Sequence, residues 1–405
     1  MSQAMSNAVC FPRGFKANGI HCGVRKNRIK KDLALIYSET PCSAAAVYTL
    51  NKVKGAPIDV TKEHLENGIA QAMLCNSGNA NTCNANGIEI AKGMCKLCAD
   101  SLKMDASDII IASTGVIGEV LSLEPFETHM DQLVEGLSVE NGSEACEAIM
   151  TTDTEKKEFA TLFMLDGVEC RLGIMAKGSG MIHPNMATML AFVTTDVKIS
   201  SQMLKQALSE VVQDTFNMVS VDGDTSTNDM LSIMANGAAQ NEEITCANEA
   251  YELFKKALYD VCVAASRAMA KDGEGATKLL TAVVSNAPDI KTAKIAAKSI
   301  ITSSLFKAAM FGKDANWGRI LCALGYCDAD FDITKVNVSF SSGAGSIAVC
   351  KNGAGCGFNE ESALAILSED EITIAIDLNQ GSAQATAWGC DLTYDYVKIN
   401  GDYRT

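Results

Sequence analysis

Residues 173–195 read GIMAKGSGMIHPNMATMLAFVTT, and their pattern decides what kind of fold surrounds them. Two short apolar runs, 173–176 and 188–194, have the length and residue types of strands. Between them Lys177-Gly178-Ser179-Gly180 and His183-Pro184-Asn185 supply turn-forming residues. A polar, glycine-bearing loop bracketed by strongly apolar strands is expected inside the protein, not on its surface. The same texture repeats outward in both directions. Strand-like runs fall at 32–37, 44–50, 70–75, 108–112, 159–165 and 170–176, then at 279–284, 336–340, 371–376 and 383–388. Helical periodicity is clearest at 87–103, 201–216, 247–270 and 292–306. Strands interleaved with helices predict a mixed α/β fold.

The chain of 405 residues is long enough for two or three domains. From about Val336 it turns strand-rich, with glycine turns in SSGAGS and KNGAGCG, which predicts a smaller C-terminal α/β unit. The expected division is a main domain over 1–275 and a second over 276–405. Six prolines and no low-complexity tract argue against a flexible linker. No repeat of solenoid or propeller length is visible.

A net charge of −15 and a pI near 4.8 argue against nucleic acid or an anionic membrane as partner, since both repel such a surface. No apolar run is long enough to span a bilayer. The opening MSQAMSNAVCFPRGFKANGI has neither the basic start and apolar middle of a secretory signal nor an Arg-rich transit pattern, so a cytoplasmic location is expected. The sixteen cysteines are scattered through apolar runs and read as small buried hydrophobes kept reduced.

Thr188 opens the second apolar run, and a threonine there is ordinarily structural. It gains interest because only four histidines (His21, His64, His129, His183) are present, with no evident Ser-His-Asp arrangement. A threonine that becomes the first residue of a chain needs no histidine. Its freed α-amine, with a reference pKa of ~7.7–8.0, can act as base on its own hydroxyl. The run DIIIASTGVIGE at 108–119 ends a strand in Ser113-Thr114-Gly115, where a backbone N–H and a hydroxyl beside glycine suit an oxyanion site.

Other motifs compete with this reading. Asp222 and Asp224 in VSVDGDTSTNDM resemble the aspartyl loop of Mg²⁺-dependent haloacid-dehalogenase-like phosphatases, against the plainer reading of Asx turns. Cys95-x-x-Cys98 lies on one helix face without a second ligand pair, so packing is expected. Gly353, Gly355 and Gly357 form GxGxG and not the dinucleotide fingerprint GxGxxG.

Taken together the motifs resemble one family, the ornithine acetyltransferases (glutamate N-acetyltransferases, ArgJ). The resemblance runs through PRGFKANG, NSGNAN at 76–81, STGVIG at 113–118 and KGSGMIHPNMATML at 177–190. It continues through SVDGDTSTND, KDGEGATK, GKDANWGRI and YVKINGDYRT. It implies self-cleavage between Ala187 and Thr188, giving an α chain (1–187) and a β chain (188–405) that assemble as an α₂β₂ heterotetramer. It implies that Thr188 carries acetyl from N-acetylornithine to glutamate in a ping-pong reaction of arginine biosynthesis, without a metal or external cofactor. Thr114 and Gly115 are implied as the oxyanion hole. Thr154, Lys177, Thr188, Glu274, Asn400 and Thr405 are implied as substrate contacts. The implied fold is a sandwich of β-sheets between helix layers, unlike the Ntn-hydrolase fold, with a smaller C-terminal α/β domain. Members that also take acetyl from acetyl-CoA share these motifs with members that do not, so acetyl-CoA stays a candidate second donor. Two local departures are the Asn84-Ala85-Asn86-Gly87 stretch, where a Thr-Gly pair is common, and Gly401 after Asn400, where alanine is common. The alternatives are a self-processing aminopeptidase or amidase of the same superfamily, the Mg²⁺ phosphohydrolase on Asp222 and Asp224, and a non-catalytic binding protein.

Overall fold

The structure, a computed structural model, describes residues 2–25, 30–183 and 189–402. The chain divides into two compact units: Met1–Gly178, Pro184–Asn217 and Thr225–Ala265 form the first, and Ser179–His183, Met218–Asp224 and Ser266–Thr405 the second. Each is built on one mixed sheet flanked by helices, so the α/β class is as the alternating pattern predicts.

The first unit opens with strands β1 (Gln3–Ala4), β2 (Phe15–Ile20), β3 (Leu33–Tyr48), β4 (Ile69–Asn76) and β5 (Ile109–Ser113). It continues with β6 (Lys157–Leu165), β7 (Val168–Lys177) and β8 (Leu190–Thr195). Next in sequence, β9 (Val219–Ser220) belongs to the second unit and β10 (Met230–Ala235) to the first. The order across the first sheet is β1-β6-β7-β8-β10-β3-β4-β5, with β2 beside β3. Its helices are α1 (Ala56–His64), α2 (Gly87–Leu102), α3 (Glu124–Glu135), α4 (Gly142–Ile149), α5 (Ser201–Val211) and most of α6 (Glu249–Lys271).

Period-two alternation decides which face each strand residue covers. Leu33, Leu35, Ala72, Leu74, Ile109 and Ile111 share a core with Met94, Cys95 and Cys98 of α2 and Phe126 and Met130 of α3. Their neighbours Ala34, Ile36, Met73, Cys75, Ile110 and Ala112 share another with Ala145, Cys146 and Ile149 of α4. With both faces covered, these strands read as unbroken apolar runs in the sequence. Cys95 and Cys98 are core residues, and burial pushes the Cys98 thiol up to about 12.

Two sequence expectations are corrected. The runs at 32–37 and 44–50 belong to one strand, β3, whose pairing with β4 slips between Tyr37 and Cys42. Pro41, which has no N–H for the ladder, lies within that slip. The helix expected over 292–306 is instead two, α7 (Ile290–Thr302) and α8 (Ser304–Phe311). Ser303 between them takes an extended conformation, and its side chain accepts from the Phe306 N–H to cap the second.

The second unit adds α9 (Trp317–Tyr326), β11 (Leu279–Ala287), β12 (Asn337–Ser342), β13 (Gly345–Lys351), β14 (Ala354–Gly355) and α10 (Glu360–Ser368). It ends with β15 (Glu371–Asp377), β16 (Ala383–Cys390) and α11 (Tyr394–Asp402). Its sheet runs β14-β13-β12-β15-β11-β16-β9. Gly353 lies in the β13–β14 hairpin turn, so the GxGxG glycines shape a hairpin. Among the described residues no helix is long and apolar enough to cross a membrane.

Candidate active site

The parallel pair β4–β5 ends in two loops, the position at which α/β sheets commonly hold ligands. The Thr114 N–H donates to the Asn76 carbonyl at 2.9 Å. The Asn76 side chain donates to Ser113 Oγ at 2.7 Å and accepts from the Gly78 and Asn79 N–H groups at 3.2 and 3.1 Å. Asn79 does the same for Asn81, and Asn228 Nδ2 donates to the carbonyls of both Ala80 and Ser113. Short amide side chains thus satisfy loop backbone that the sheet no longer reaches. Gly115 sits at φ 124°, and an added Cβ would lie 2.7 Å from Gly78 C and 2.9 Å from Asn79 N. Both the left-handed backbone and the close approach require glycine.

Lys177 closes β7 and pairs with Leu190, the first residue of β8. Its ammonium lies 3.4 Å from Thr114 Oγ1, so the structure brings these two site residues together. Behind them is a buried ion pair: Lys157 Nζ donates to Asp153 Oδ1 at 2.7 Å, with both side chains almost fully covered. Asp153 also accepts from the N–H groups of Gly178 at 2.6 Å and Thr151 at 3.0 Å. Burial alone raises a carboxyl, but Lys157, Lys177 and these donors together hold Asp153 far below the usual range. Burial, reinforced by the like charge of Lys157, pulls Lys177 down, while Asp153 and Asp229 oppose it. Asp229 is itself pushed well up by burial, only partly countered by Ser226, Lys177 and Thr49. Lys157 and Lys177 thus both act on the Asp153 carboxylate, and Lys157 also donates to the Glu155 carbonyl. Thr154, next to Asp153, is exposed.

In the second unit the Glu274 N–H donates to the Ser179 carbonyl at 2.9 Å, and a Cβ on Gly180 would lie 2.3 Å from the Glu274 carboxyl carbon. Asn400 on α11 donates to Glu274 Oε2 at 2.8 Å, so these two are also brought together. Asp222 accepts from the Met181 and Ile182 N–H groups at 2.6 and 2.9 Å and from the Tyr396 hydroxyl at 3.3 Å. Both its oxygens are engaged in tying down residues 181–182, which is the Asx-type role weighed against a phosphoryl-transfer nucleophile. Ala187, Thr188 and Thr405 lie outside the described residues. Sequence reasoning did not single out Asp153, Asn228 or Asp229. Their one signal is position, beside Thr154 or at the end of SVDGDTSTND.

The ArgJ family model matches residues 16–405. Arginine biosynthesis bifunctional protein ArgJ 1 of Clostridium acetobutylicum is 50% identical over 392 residues, 96% of each chain. The ArgJ protein of Caldanaerobacter subterraneus is 48% identical over 404 residues, the full length of both. A crystal structure of the ArgJ protein of Bacillus halodurans is 45% identical with a TM-score of 0.50, covering 52% of this chain and 98% of that one. The chain therefore belongs to the ArgJ family.

Proposed function

We propose that this chain is a self-processing acetyltransferase that cuts itself between Ala187 and Thr188, then moves acetyl from N-acetylornithine to glutamate through an ester on Thr188. The observation that carries this is Lys177. It is a buried cation touching Thr114, on a strand whose register sets it beside Leu190, two residues after Thr188 in the chain. The relatives at 50 and 48% identity are named as bifunctional proteins of arginine biosynthesis.

In the proposed reaction the α-amine of Thr188 takes the proton from its own hydroxyl as Oγ1 attacks the acetyl carbonyl. The oxyanion receives hydrogen bonds from Thr114 and the Gly115 N–H. Collapse breaks the amide C–N bond, the proton passes to the departing ornithine nitrogen, and acetyl stays on Oγ1. Glutamate's amine then attacks the ester and releases Thr188. Acetyl never leaves as acetate, so no external cofactor is required. Lys177 pairs with the α-carboxylate common to both substrates, and Glu274 supplies a carboxylate for the ornithine ammonium. We assign Thr154, Asn400 and Thr405 to substrate contacts and the working assembly to α₂β₂. Acetyl-CoA is kept as the candidate second donor.

Purified enzyme given N-acetylornithine should release little ornithine until glutamate is added, and then form N-acetylglutamate in equal amount. Steady ornithine release with free acetate and no acceptor would instead establish a hydrolase. Gly115→Ala is expected to lower kcat by ~10²-fold, through a displaced oxyanion donor, while leaving KM nearly unchanged. Steady-state kinetics beside a melting curve checks it. Lys177→Met is expected to raise KM for both substrates roughly 10- to 100-fold, the worth of one charge-assisted hydrogen bond. Equal loss in kcat with unchanged KM would place Lys177 in the chemistry instead.

A further inference from the structure

Asn228, two residues before β10, is buried, and its amide meets partners from three segments of the first unit. Nδ2 donates to the Ala80 carbonyl at 2.5 Å and to the Ser113 carbonyl at 3.0 Å. Oδ1 accepts from the Thr82 and Thr227 hydroxyls, both at 2.6 Å. An amide has two N–H donors and two lone pairs on its oxygen, so its whole capacity is used here and none is left for substrate. The two carbonyls can only accept, which fixes the nitrogen toward them. A Cβ on Gly55 would lie 2.4 Å from Asn228 Nδ2, so the backbone beside the amide leaves room for it and no more.

Both donor contacts bear on the turn that holds Thr114 and Gly115. The Ser113 carbonyl belongs to the peptide unit whose N–H is that of Thr114. That N–H donates to the Asn76 carbonyl at 2.9 Å, so the unit is held at one end by Asn76 and at the other by Asn228. A peptide unit is planar, and fixing both of its polar ends fixes the direction in which Thr114 leaves it. On the far side of Gly115, the Val116 carbonyl accepts from the Ala80 N–H at 2.8 Å, and Ala80 is the other residue that Asn228 holds. We infer that Asn228 is a positioning residue: its one nitrogen clamps Ser113 and Ala80 together and so holds the Thr114–Gly115 turn in the geometry an oxyanion needs. This rests on the oxyanion reading given above. Losing the clamp displaces a donor to the transition state and leaves the Lys177 contact in place, so the loss falls on kcat and not on KM.

The test measures kcat and KM for N-acetylornithine, with melting curves, in full-length wild type, Asn228→Asp, Gly115→Ala and the double variant. Turnover is taken per cleaved chain, counted by intact mass. Asn228→Asp keeps the size of the side chain but turns an oxygen toward both carbonyls, and should lose about 30- to 100-fold in kcat with KM within about 3-fold. Asn228→Ser, whose hydroxyl can donate to one carbonyl, should lose less, and it replaces the aspartate variant if that one does not fold. The double variant should fall no more than about 3-fold below the slower single variant, because both changes spoil the same turn, whereas independent losses multiply. A kcat within about 3-fold of wild type in the Asn228 variants overturns the inference, as do losses that multiply in the double variant. A change confined to KM overturns it too, and so does a folded Asn228 variant that stays wholly uncut, since the fault then precedes acetyl transfer. Gly115→Ala with wild-type kcat overturns the oxyanion reading itself. That failure is distinct from a slow Gly115→Ala beside fast Asn228 variants, which removes Asn228 alone.

Discussion

Thr188→Ala is expected to leave a single chain of 42.9 kDa where the wild type gives two fragments meeting at Ala187 and Thr188. In the proposed self-cleavage the Thr188 hydroxyl attacks the Ala187 carbonyl, moving the acyl group from nitrogen to oxygen, and water then hydrolyses the ester. Alanine has no oxygen with which to start. In the proposed mechanism the same change removes the nucleophile for acetyl, and deleting a covalent nucleophile in comparable acyl-transfer enzymes costs up to ~10⁶ in kcat. Transfer should therefore fall to background. The scaffold should not fall with it, because Thr114 is held by Asn76 and Lys177 by the β7–β8 register, and neither depends on the Thr188 hydroxyl. A melting temperature within a few degrees of wild type, with one intact mass and no turnover, is the expected combination. Thr188→Ser keeps a hydroxyl and should still cut, more slowly. A cleaved alanine variant, or an uncut wild type that transfers acetyl, removes Thr188 from the mechanism.

How far the sequence could be read follows from which contacts are local. Strands such as β5 and β7 were legible because burial on both faces leaves continuous apolar runs. Thr114 and Gly115 were legible as a pair because a strand end, a hydroxyl and a glycine are adjacent in the chain. Asp153 was not, because its meaning lies in meeting Lys157 and Gly178, and the second meeting spans 25 positions. Asn228 and Asp229 carry no local signal beyond the polar stretch that precedes β10. Their importance comes from β10 inserting between β3 and β8, far from its sequence neighbours. The Ser303 break was hidden for the opposite reason: a serine within an apolar periodic stretch fits a helix until its side chain caps a new one.

The buried charges behind Lys177 make a prediction about stability that activity alone would miss. Asp153→Ala leaves Lys157 and Lys177 buried without their shared carboxylate, and breaking a buried pair by removing one partner costs about 3–5 kcal/mol. Asp153→Asn, which still accepts from the Gly178 N–H, should cost less. The pH dependence has a definite sign. Asp153 is held far below its unfolded value of ~3.9, so its contribution is fully present above that value and is lost only as pH falls below it toward the folded pKa. The gap in unfolding free energy between wild type and Asp153→Asn should therefore stay flat from neutral pH down to about pH 5, then narrow in acid. Urea denaturation at pH 7, 5 and 3.5 measures it. Adding Lys157→Met to Asp153→Ala removes one orphaned cation and should return part of the loss, a coupling that independent sites would not show. If the double variant is simply the sum of its parts, the pair contributes nothing as a pair.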